Sequence, residues 1–278
     1  MTKYSNPQPP EGINVSHNDP LITFLKLLAG FALIVGITVW VLGKSGGWIA
    51  GLVPFEQEIA LSELYPEEET ENDKHAQIQA YLEILTDDIS ATMNLPEGMK
   101  INVHYIDEDI ENAFATLGGH IFLYKGLLKK LPNENSLAML IAHEIAHVKL
   151  RHPIRAIGQQ MAISTGVKLM LGDSKINILG NAGLLTQLHF SRSMETASDT
   201  EGLYAVKGHY GNIAGAFGLY DTLQAISSGG GDELAFFSTH PLDAERIQHL
   251  SDIAKKNNWE PDADNIQAFP DGYANWLK

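Results

Sequence analysis

The chain has 278 residues, of which 44% are hydrophobic and 19% are charged. This composition indicates a globular protein with one substantial core and excludes a wholly disordered chain. The formal net charge of −15 argues against a nucleic-acid partner, which would require a basic face. The absence of cysteine excludes disulfides, thiolate metal ligands and a cysteine nucleophile. Any metal in this protein must therefore be held by His, Asp or Glu.

The amino-terminal region predicts a membrane anchor. Residues 1–20 are polar and include Pro7, Pro9 and Pro10, which is typical of a disordered tail. Residues 21–42 carry one charge, Lys26, and a helix of that length spans the roughly 30 Å hydrocarbon layer of a bilayer. A cleaved signal peptide is the alternative, but its apolar region is usually only ~7–15 residues and ends in a small-residue cleavage motif. We therefore predict an uncleaved transmembrane helix over 21–42, in contact with the lipid bilayer.

The flanking charges discriminate poorly between the two orientations. Lys3 and Lys26 lie on one side of the span and Lys44 on the other, so the positive-inside rule is nearly balanced. We predict a short cytoplasmic amino terminus in the inner membrane, with the bulk of the chain on the periplasmic or extracytoplasmic side. Residues 43–73, which are acidic and contain Gly and Pro, predict a linker; 74–258 predict the folded domain and 259–278 a carboxy-terminal tail.

Within the domain, helical periodicity dominates. Apolar residues recur at helical spacing from Ile78 to Met93, and alternation over 101–105 predicts a strand, as does the apolar run 120–124. A helix is expected after Pro132 with Asn133 as its cap. Further helices are expected within 154–190, with breaks at Lys168, Gly172-Asp173 and Gly180, and over 191–207, 212–226 and 241–257. The predicted fold class is mainly α with a small β-sheet (α+β).

The motif that carries chemistry is His143-Glu144-Ile145-Ala146-His147. Two histidines four residues apart share one face of a helix, which suits two ligands of a tetrahedral zinc ion. Glu144 lies beside the first ligand, where its carboxylate can accept a proton from a metal-bound water. A purely structural histidine pair is the alternative; it is disfavoured because burying these titratable groups without a metal would be costly.

A catalytic zinc site usually needs a third protein ligand. Glu195 and Asp199 are four residues apart in a predicted helix, so one could bind the metal while the other accepts a hydrogen bond from a ligand histidine. Acidic pairs at this spacing are also common on solvated helix faces. His152 and His189 are rival candidates for the third ligand, and the residues alone leave the choice open.

These motifs together resemble a known family, the HtpX-like and CAAX-prenyl-protease-type membrane zinc peptidases, metallopeptidase family forty-eight. The resemblance covers about residues 75–255 and rests on four blocks in the family's order. The blocks are Asn112-Ala113-Phe114-Ala115 with Gly118-Gly119-His120-Ile121-Phe122 and Gly126-Leu127-Leu128; residues 143–147; Ser191-Arg192 with Glu195, Asp199 and Gly202; and Ser238-Thr239-His240-Pro241 with Arg246-Ile247. A single predicted span makes the chain most similar to the periplasmic quality-control and mitochondrial Oma-type members.

The resemblance implies a gluzincin-type peptidase domain with one Zn²⁺ per chain. It assigns Glu195 as the third ligand, Asp199 as support for the ligands, His240 as hydrogen-bond donor to the oxyanion, and Arg246 as anchor of the His240 loop. It also implies that a strand containing Gly119, His120, Ile121 and Phe122 binds an extended polypeptide substrate by edge pairing.

Two functions of different class remain open on the sequence. The favoured one is a single-pass zinc metalloendopeptidase that cleaves misfolded or membrane-proximal polypeptides through a zinc-activated water. The alternative is a membrane-tethered chaperone or assembly factor whose zinc is mainly structural. A prenyl-protein protease is disfavoured because its membrane chamber requires several spans. Segment 154–190 lies between the two halves of the zinc motif, so we expect it to cover the site in part.

Overall fold

A computed structural model describes residues 19–63, 75–171, 188–228, 236, 239–241, 243–260 and 265–278. It confirms the predicted fold class, with many helices and one small sheet. The helices are α1 (Pro20–Ala50), α2 (Phe55–Ser62), α3 (Ala76–Thr92), α4 (Lys125–Leu128), α5 (Glu134–Lys149), α6 (His152–Leu171), α7 (Arg192–Tyr210), α8 (Gly218–Ser228), α9 (Ala244–Lys256) and α10 (Tyr273–Trp276), and the strands are β1 (Asn102–Ile106), β2 (Ala113–Ala115) and β3 (His120–Tyr124).

The sheet has the order β1-β3-β2, with β1 parallel and β2 antiparallel to β3. The strand proposed for substrate pairing is therefore the central one. Its residues His120, Ile121 and Phe122 pair with β1 on one side, and Ile121 and Phe122 pair with β2 on the other. The prediction that Gly119, His120, Ile121 and Phe122 offer a free edge is wrong, because both edges of β3 are already hydrogen-bonded. The edge strands are β1 and β2; all three residues of β2 are buried, and the sequence pattern did not predict this strand.

Helix α5 forms the centre of the domain. The Asn133 side chain caps it by accepting a hydrogen bond from the Ser136 backbone N–H, as its sequence position predicts. Every residue from Asn135 to Val148 is buried, so α5 packs on all sides rather than along one stripe. Helix α7 approaches it closely through Gly202, where a Cβ atom would lie only 3.3 Å from the His143 backbone nitrogen. The small residue therefore brings the acidic face of α7 onto the motif helix.

Helix α1 is longer than the predicted span. It continues to Ala50, and it is the one helix in the described residues that is long and apolar enough to cross a membrane. Its last turns pack against α6, where Gly46 and Gly158 meet so closely that a Cβ on either would collide with the opposing backbone. Helix α2 follows, in a stretch where the sequence predicted a linker. This segment is held in place by the close glycine packing of α1 on α6 and by the buried side chains of α2. Both depend on residues that are distant in the sequence.

The carboxy-terminal segment also differs from its prediction as a tail. Tyr273 and Leu277 are buried in the main core, and the Tyr273 hydroxyl donates to the Leu128 carbonyl at 3.3 Å. The Gln267 backbone N–H donates to the Asn135 side chain at 2.7 Å. The helix break predicted at Lys168 is wrong, because α6 continues to Leu171. Residues 1–18 of the tail predicted over 1–20, and the breaks predicted at Gly172-Asp173 and Gly180, lie outside the described residues.

Candidate metal centre

Helices α5 and α7 bring three buried donor groups together. His143 and His147 lie one turn apart on α5, with 3.1 Å between their Nε2 atoms. Glu195, in the first turn of α7, places Oε2 3.5 Å from His143 Nε2 and Oε1 3.4 Å from His147 Nε2. All three side chains are at most 2% exposed. A sequence separation of about fifty residues is thus closed by the packing of two helices.

These separations fit a tetrahedral ion. Bonds of about 2.0–2.1 Å to one centre separate neighbouring donors by roughly 3.4 Å, and the three donor pairs lie at 3.1, 3.4 and 3.5 Å. Two imidazoles and a carboxylate are also a ligand set that zinc accepts. The arrangement therefore has both the chemistry and the spacing of a metal site, whereas three such groups buried without a cation would be costly.

His240 lies within the same group of donors. Its Nδ1 is 3.2 Å from Glu195 Oε1 and 3.4 Å from His143 Nε2, and the ligand atoms of all four residues fall within 4.8 Å of one another. His240 Nε2 points towards Glu144, with 3.7 Å to Oε1. The family resemblance predicts that His240 lies over the site. In the structure its Nδ1 occupies the fourth corner of the donor set. A water molecule could therefore bind the metal at this corner only if the His240 ring moved away.

Asp199 holds His143 in place. One turn beyond Glu195, its Oδ1 accepts a hydrogen bond from His143 Nδ1 at 2.9 Å, which leaves Nε2 of that ring free to bind a metal. Arg246 donates to both Asp199 oxygens at 2.7 Å and also lies 2.9 Å from Glu195 Oε2. The Tyr220 hydroxyl donates to Asp199 at 2.8 Å. The buried carboxylates are thereby oriented from outside the donor set.

The same arginine links this network to the His240 loop. Its Nη1 donates to the Pro241 carbonyl at 2.8 Å, next to His240. This contact places Arg246 where the family resemblance expected an anchor. Arg246 is itself positioned at the start of α9, whose amino terminus is capped by Asp243. The loop is therefore tied to α7 through a single guanidinium.

The electrostatics of the cluster favour a cation. Burial lowers the pKa of His143, but the carboxylates of Asp199 and Glu195 outweigh it and raise the pKa to about 10. Burial lowers the pKa of His147 well below its usual value, so this ring is neutral as a metal ligand must be. Burial opposes ionisation of Glu195, yet the surrounding histidines hold its pKa well below the usual range. The buried carboxylates therefore attract a positive charge, which falls on the His143 ring when no metal is bound.

Glu144 is buried beside this cluster, near the His240 ring and the Ala115 backbone. Neither carboxylate oxygen meets a donor at hydrogen-bonding geometry within the described part of the chain. Burial raises its pKa, which favours a group that can take up and release a proton. A buried carboxyl group whose oxygens are unsatisfied is costly to keep. Its place beside His240 and the donor cluster gives it a chemical use rather than a structural one.

His152 has a position that sequence reasoning did not assign. Its Nδ1 lies 3.1 Å from Nδ1 of His147 and 3.3 Å from the Ser198 hydroxyl, so it contacts the ligand imidazole rather than the donor cluster. Burial lowers its pKa to about 3, which keeps the ring neutral and able to accept a hydrogen bond. Its place five residues beyond His147, on the same buried segment, was the available signal.

The two remaining predictions concern His189 as a metal ligand and the segment 154–190 as a cover of the site. His189, the second rival ligand, is exposed and is absent from the donor group found among the described residues. Phe190, next to it, packs its ring 4.1 Å from that of His147. Segment 154–190 therefore contributes one wall of the site. Whether it covers the opening depends on residues 172–187, which lie outside the described residues.

Comparison with known proteins agrees with this geometry. Residues 74–254 match Peptidase family M48. The chain belongs to this family. The matched region contains α3 to α8 and most of α9, and with them the donor cluster. The resemblance found in the sequence motifs is thereby confirmed.

Several curated M48 relatives are similar to this chain. Mitochondrial metalloendopeptidase OMA1 of Schizosaccharomyces pombe is 33% identical over 180 residues, which cover 63% of this chain and 51% of the relative. Metalloprotease LoiP of Escherichia coli is 30% identical over 182 residues, 62% and 70% of the two chains. A putative beta-barrel assembly-enhancing protease of Vibrio cholerae is 31% identical over 165 residues, 52% and 33%. The alignment with the OMA1 protein spans about half of that protein's length.

Proposed function

We propose that this M48 protein is a membrane-anchored zinc endopeptidase that hydrolyses peptide bonds of polypeptide substrates, with one zinc ion per chain. The observation that carries the proposal is the spacing of three donors on His143, His147 and Glu195 at 3.1–3.5 Å, with an unpartnered Glu144 carboxylate beside them. A zinc ion held by these residues would supply a water of lowered pKa and polarise the scissile carbonyl.

The surrounding residues supply the rest of the chemistry. Glu144 accepts the proton of the attacking water and returns it to the leaving amine. His240 donates from Nε2, the nitrogen that faces Glu144, to the oxyanion that develops on the substrate. Asp199 and Arg246 fix the tautomer and orientation of His143, and Arg246 also holds the His240 loop. Each group thus acts through the atom that the geometry leaves available to it.

The polypeptide substrate binds along β2. In the antiparallel ladder, Phe114 faces Phe122 of β3, so the backbone groups of Ala113 and Ala115 point to the opposite edge. That edge leads to Glu144, because the Ala115 backbone lies close enough to lower the pKa of the Glu144 carboxyl in part. An extended peptide paired with Ala113 and Ala115 would bind mainly through its main chain, which tolerates many sequences.

A membrane-tethered chaperone with a structural zinc explains less of the site. A structural zinc usually has four protein ligands and needs no base. His240 could complete such a set, but the buried Glu144 oxygens would then have no role. A prenyl-protein protease is also disfavoured, since α1 is the one described helix suited to a membrane span. We therefore favour the endopeptidase.

Removal of the metal tests the proposal directly. We expect the purified full chain to cleave unfolded casein, to lose nearly all of this activity on treatment with 1,10-phenanthroline, and to regain it when zinc is added back. The physical reason is that no other described group supplies the activated water. Cleavage that persists at the untreated rate after the metal has been removed, as verified by atomic absorption, would contradict the zinc assignment.

We further propose that α1 anchors the protein in the inner membrane, with the catalytic domain on the extracytoplasmic side and a role in protein quality control. The absence of cysteine allows a clean test with Ser5→Cys and Glu97→Cys, one on each side of the span; Glu97 is exposed. An impermeant maleimide applied to spheroplasts should label Glu97→Cys and leave Ser5→Cys unlabelled until lysis. The reverse pattern would place the catalytic domain in the cytoplasm.

A further inference from the structure

Glu58, on α2 outside the M48-matched region, is fully buried although it is charged. Its Oε2 lies 2.7 and 2.8 Å from two nitrogens of the Arg151 guanidinium. Its Oε1 accepts a hydrogen bond of 3.3 Å from the Gly118 backbone N–H, in the turn that leads into β3. A single carboxylate thus joins the segment after the membrane anchor to the sheet and to the region beyond α5.

Arg151 occupies the junction between α5 and α6. Its φ of 60° is in the left-handed region, which is unfavourable for a residue with a side chain. Contacts of the Arg151 side chain offset this unfavourable backbone conformation. Besides its ion pair with Glu58, Nη2 donates to the Val53 carbonyl at 2.8 Å, and the guanidinium lies 5.4 Å from the Phe55 ring centre. The contacts from residues 53–58 therefore hold the backbone turn that ends the motif helix.

That turn leads directly to the donor cluster. The residue after Arg151 is His152, whose Nδ1 lies 3.1 Å from Nδ1 of His147. A neutral His152 ring can accept the Nδ1–H of His147 and so present Nε2 to a metal. A change in the backbone at Arg151 would move His152 and, with it, the partner that orients His147. Two side-chain contacts, joined by the peptide bond between Arg151 and His152, connect Glu58 to one proposed ligand.

The anchor contacts the same region a second time. The last turns of α1 pack on α6 through Gly46 and Gly158, and α6 begins at His152. The Arg155 side chain, one turn into α6, lies against Gly51 at the end of α1. The membrane helix is therefore packed on α6, directly after the Arg151 turn, which a flexible tether would not be.

We propose that residues 53–58 form a strut that couples the membrane anchor to the end of the catalytic helix, with Glu58 and Arg151 as positioning residues for the metal ligand His147. The proposal rests on the zinc site proposed above. It implies that the metal-holding geometry depends on a segment before the M48-matched domain. Displacement of the anchor would change the position of His152 and, through it, the orientation of the His147 ring.

The test compares Glu58→Gln with Glu56→Gln in the full chain reconstituted in nanodiscs. Both substitutions remove one carboxylate from α2, but Glu56 is exposed, and in the described part of the chain Arg151 forms its ion pair with Glu58. We expect zinc release to a chromophoric chelator to be about tenfold faster in Glu58→Gln than in wild type, as is typical for loss of an outer partner of a ligand. Glu56→Gln should release zinc at the wild-type rate.

Hydrogen exchange locates the effect independently of zinc. Amides of residues 117–120 and 146–151 should exchange faster in Glu58→Gln, while those of α3 keep their protection. Equal exchange and equal zinc release in the two variants would overturn the proposal, and so would a loss of protection throughout the domain. If Glu58→Gln does not fold, Arg151→Lys, which keeps the charge but cannot make all of these contacts, decides by the same two criteria. A wild-type chain that binds no zinc would refute the proposed function, while the exchange pattern would still decide the coupling.

Discussion

Replacement of Glu144 by Gln is expected to lower peptide-bond hydrolysis by about 10²- to 10⁴-fold, the usual contribution of a general base. The amide is nearly isosteric with the carboxyl group but cannot accept the proton of the attacking water. The Glu144 oxygens have no hydrogen-bond partner at proper geometry in the described residues, so the substitution should break no strong hydrogen bond. The measurement is turnover of a quenched fluorescent peptide together with metal content.

Metal content separates a catalytic loss from a collapsed site. Glu144→Gln should retain one zinc per chain, because the carboxylate is not among the grouped donor residues. Glu97→Gln, at an exposed position, is the control for the loss of one negative charge and should match wild type in both measurements. Undiminished turnover in Glu144→Gln would show that Glu144 is not the general base and would contradict the proposed mechanism.

Replacement of Glu195 by Gln is expected to abolish stable zinc binding. The carboxylate lies 3.4–3.5 Å from the Nε2 atoms of both histidines and is the one grouped donor that carries a negative charge. Loss of an outer partner typically costs about 10- to 100-fold in metal affinity, and loss of an anionic ligand should cost more. Activity should fall with occupancy, and a competition titration against a chelator of known affinity measures the change.

A control on the same helix is Glu201→Gln. Glu201 pairs with Lys149 at 2.7 Å at a partly exposed position, and an exposed pair of this kind contributes little to stability. Zinc affinity in that variant should remain at the wild-type value. If Glu195→Gln bound zinc as tightly as Glu201→Gln, another residue would have to be the third ligand, and the proposed assignment of the site would be wrong.

The local part of the site was predictable because it depends on helix geometry alone. The spacing of His143 and His147 and the position of Glu144 are properties of one continuous helix, whose start at Asn133 is also a local signal. The apolar residues around the motif predicted its burial in the same way. The family resemblance extended this reading to Glu195, Asp199, His240 and Arg246, all of which lie in or against the donor cluster.

The errors fall where position depends on distant contacts. The pattern of 120–124 correctly predicted a strand, but alternation within a segment does not reveal how many neighbours that strand has. Its central place follows from pairing with β1 and with β2, a three-residue strand too short to give a periodic signal. The segment 43–73 was predicted as a linker from its composition, whereas its described part is helical and packed.

The apolar helix, the motif helix and the acidic pair on a second helix could be predicted from the amino-acid sequence, because each depends on residues close together in the chain. The convergence of the donors could not be predicted in this way, because it depends on the close approach of α7 to α5 at Gly202. The burial of Glu58 against Arg151 is likewise a property of the folded chain, since nothing in the surrounding acidic stretch distinguishes this glutamate. Burial of a charge depends on a partner 93 residues away, and no local pattern encodes that distance.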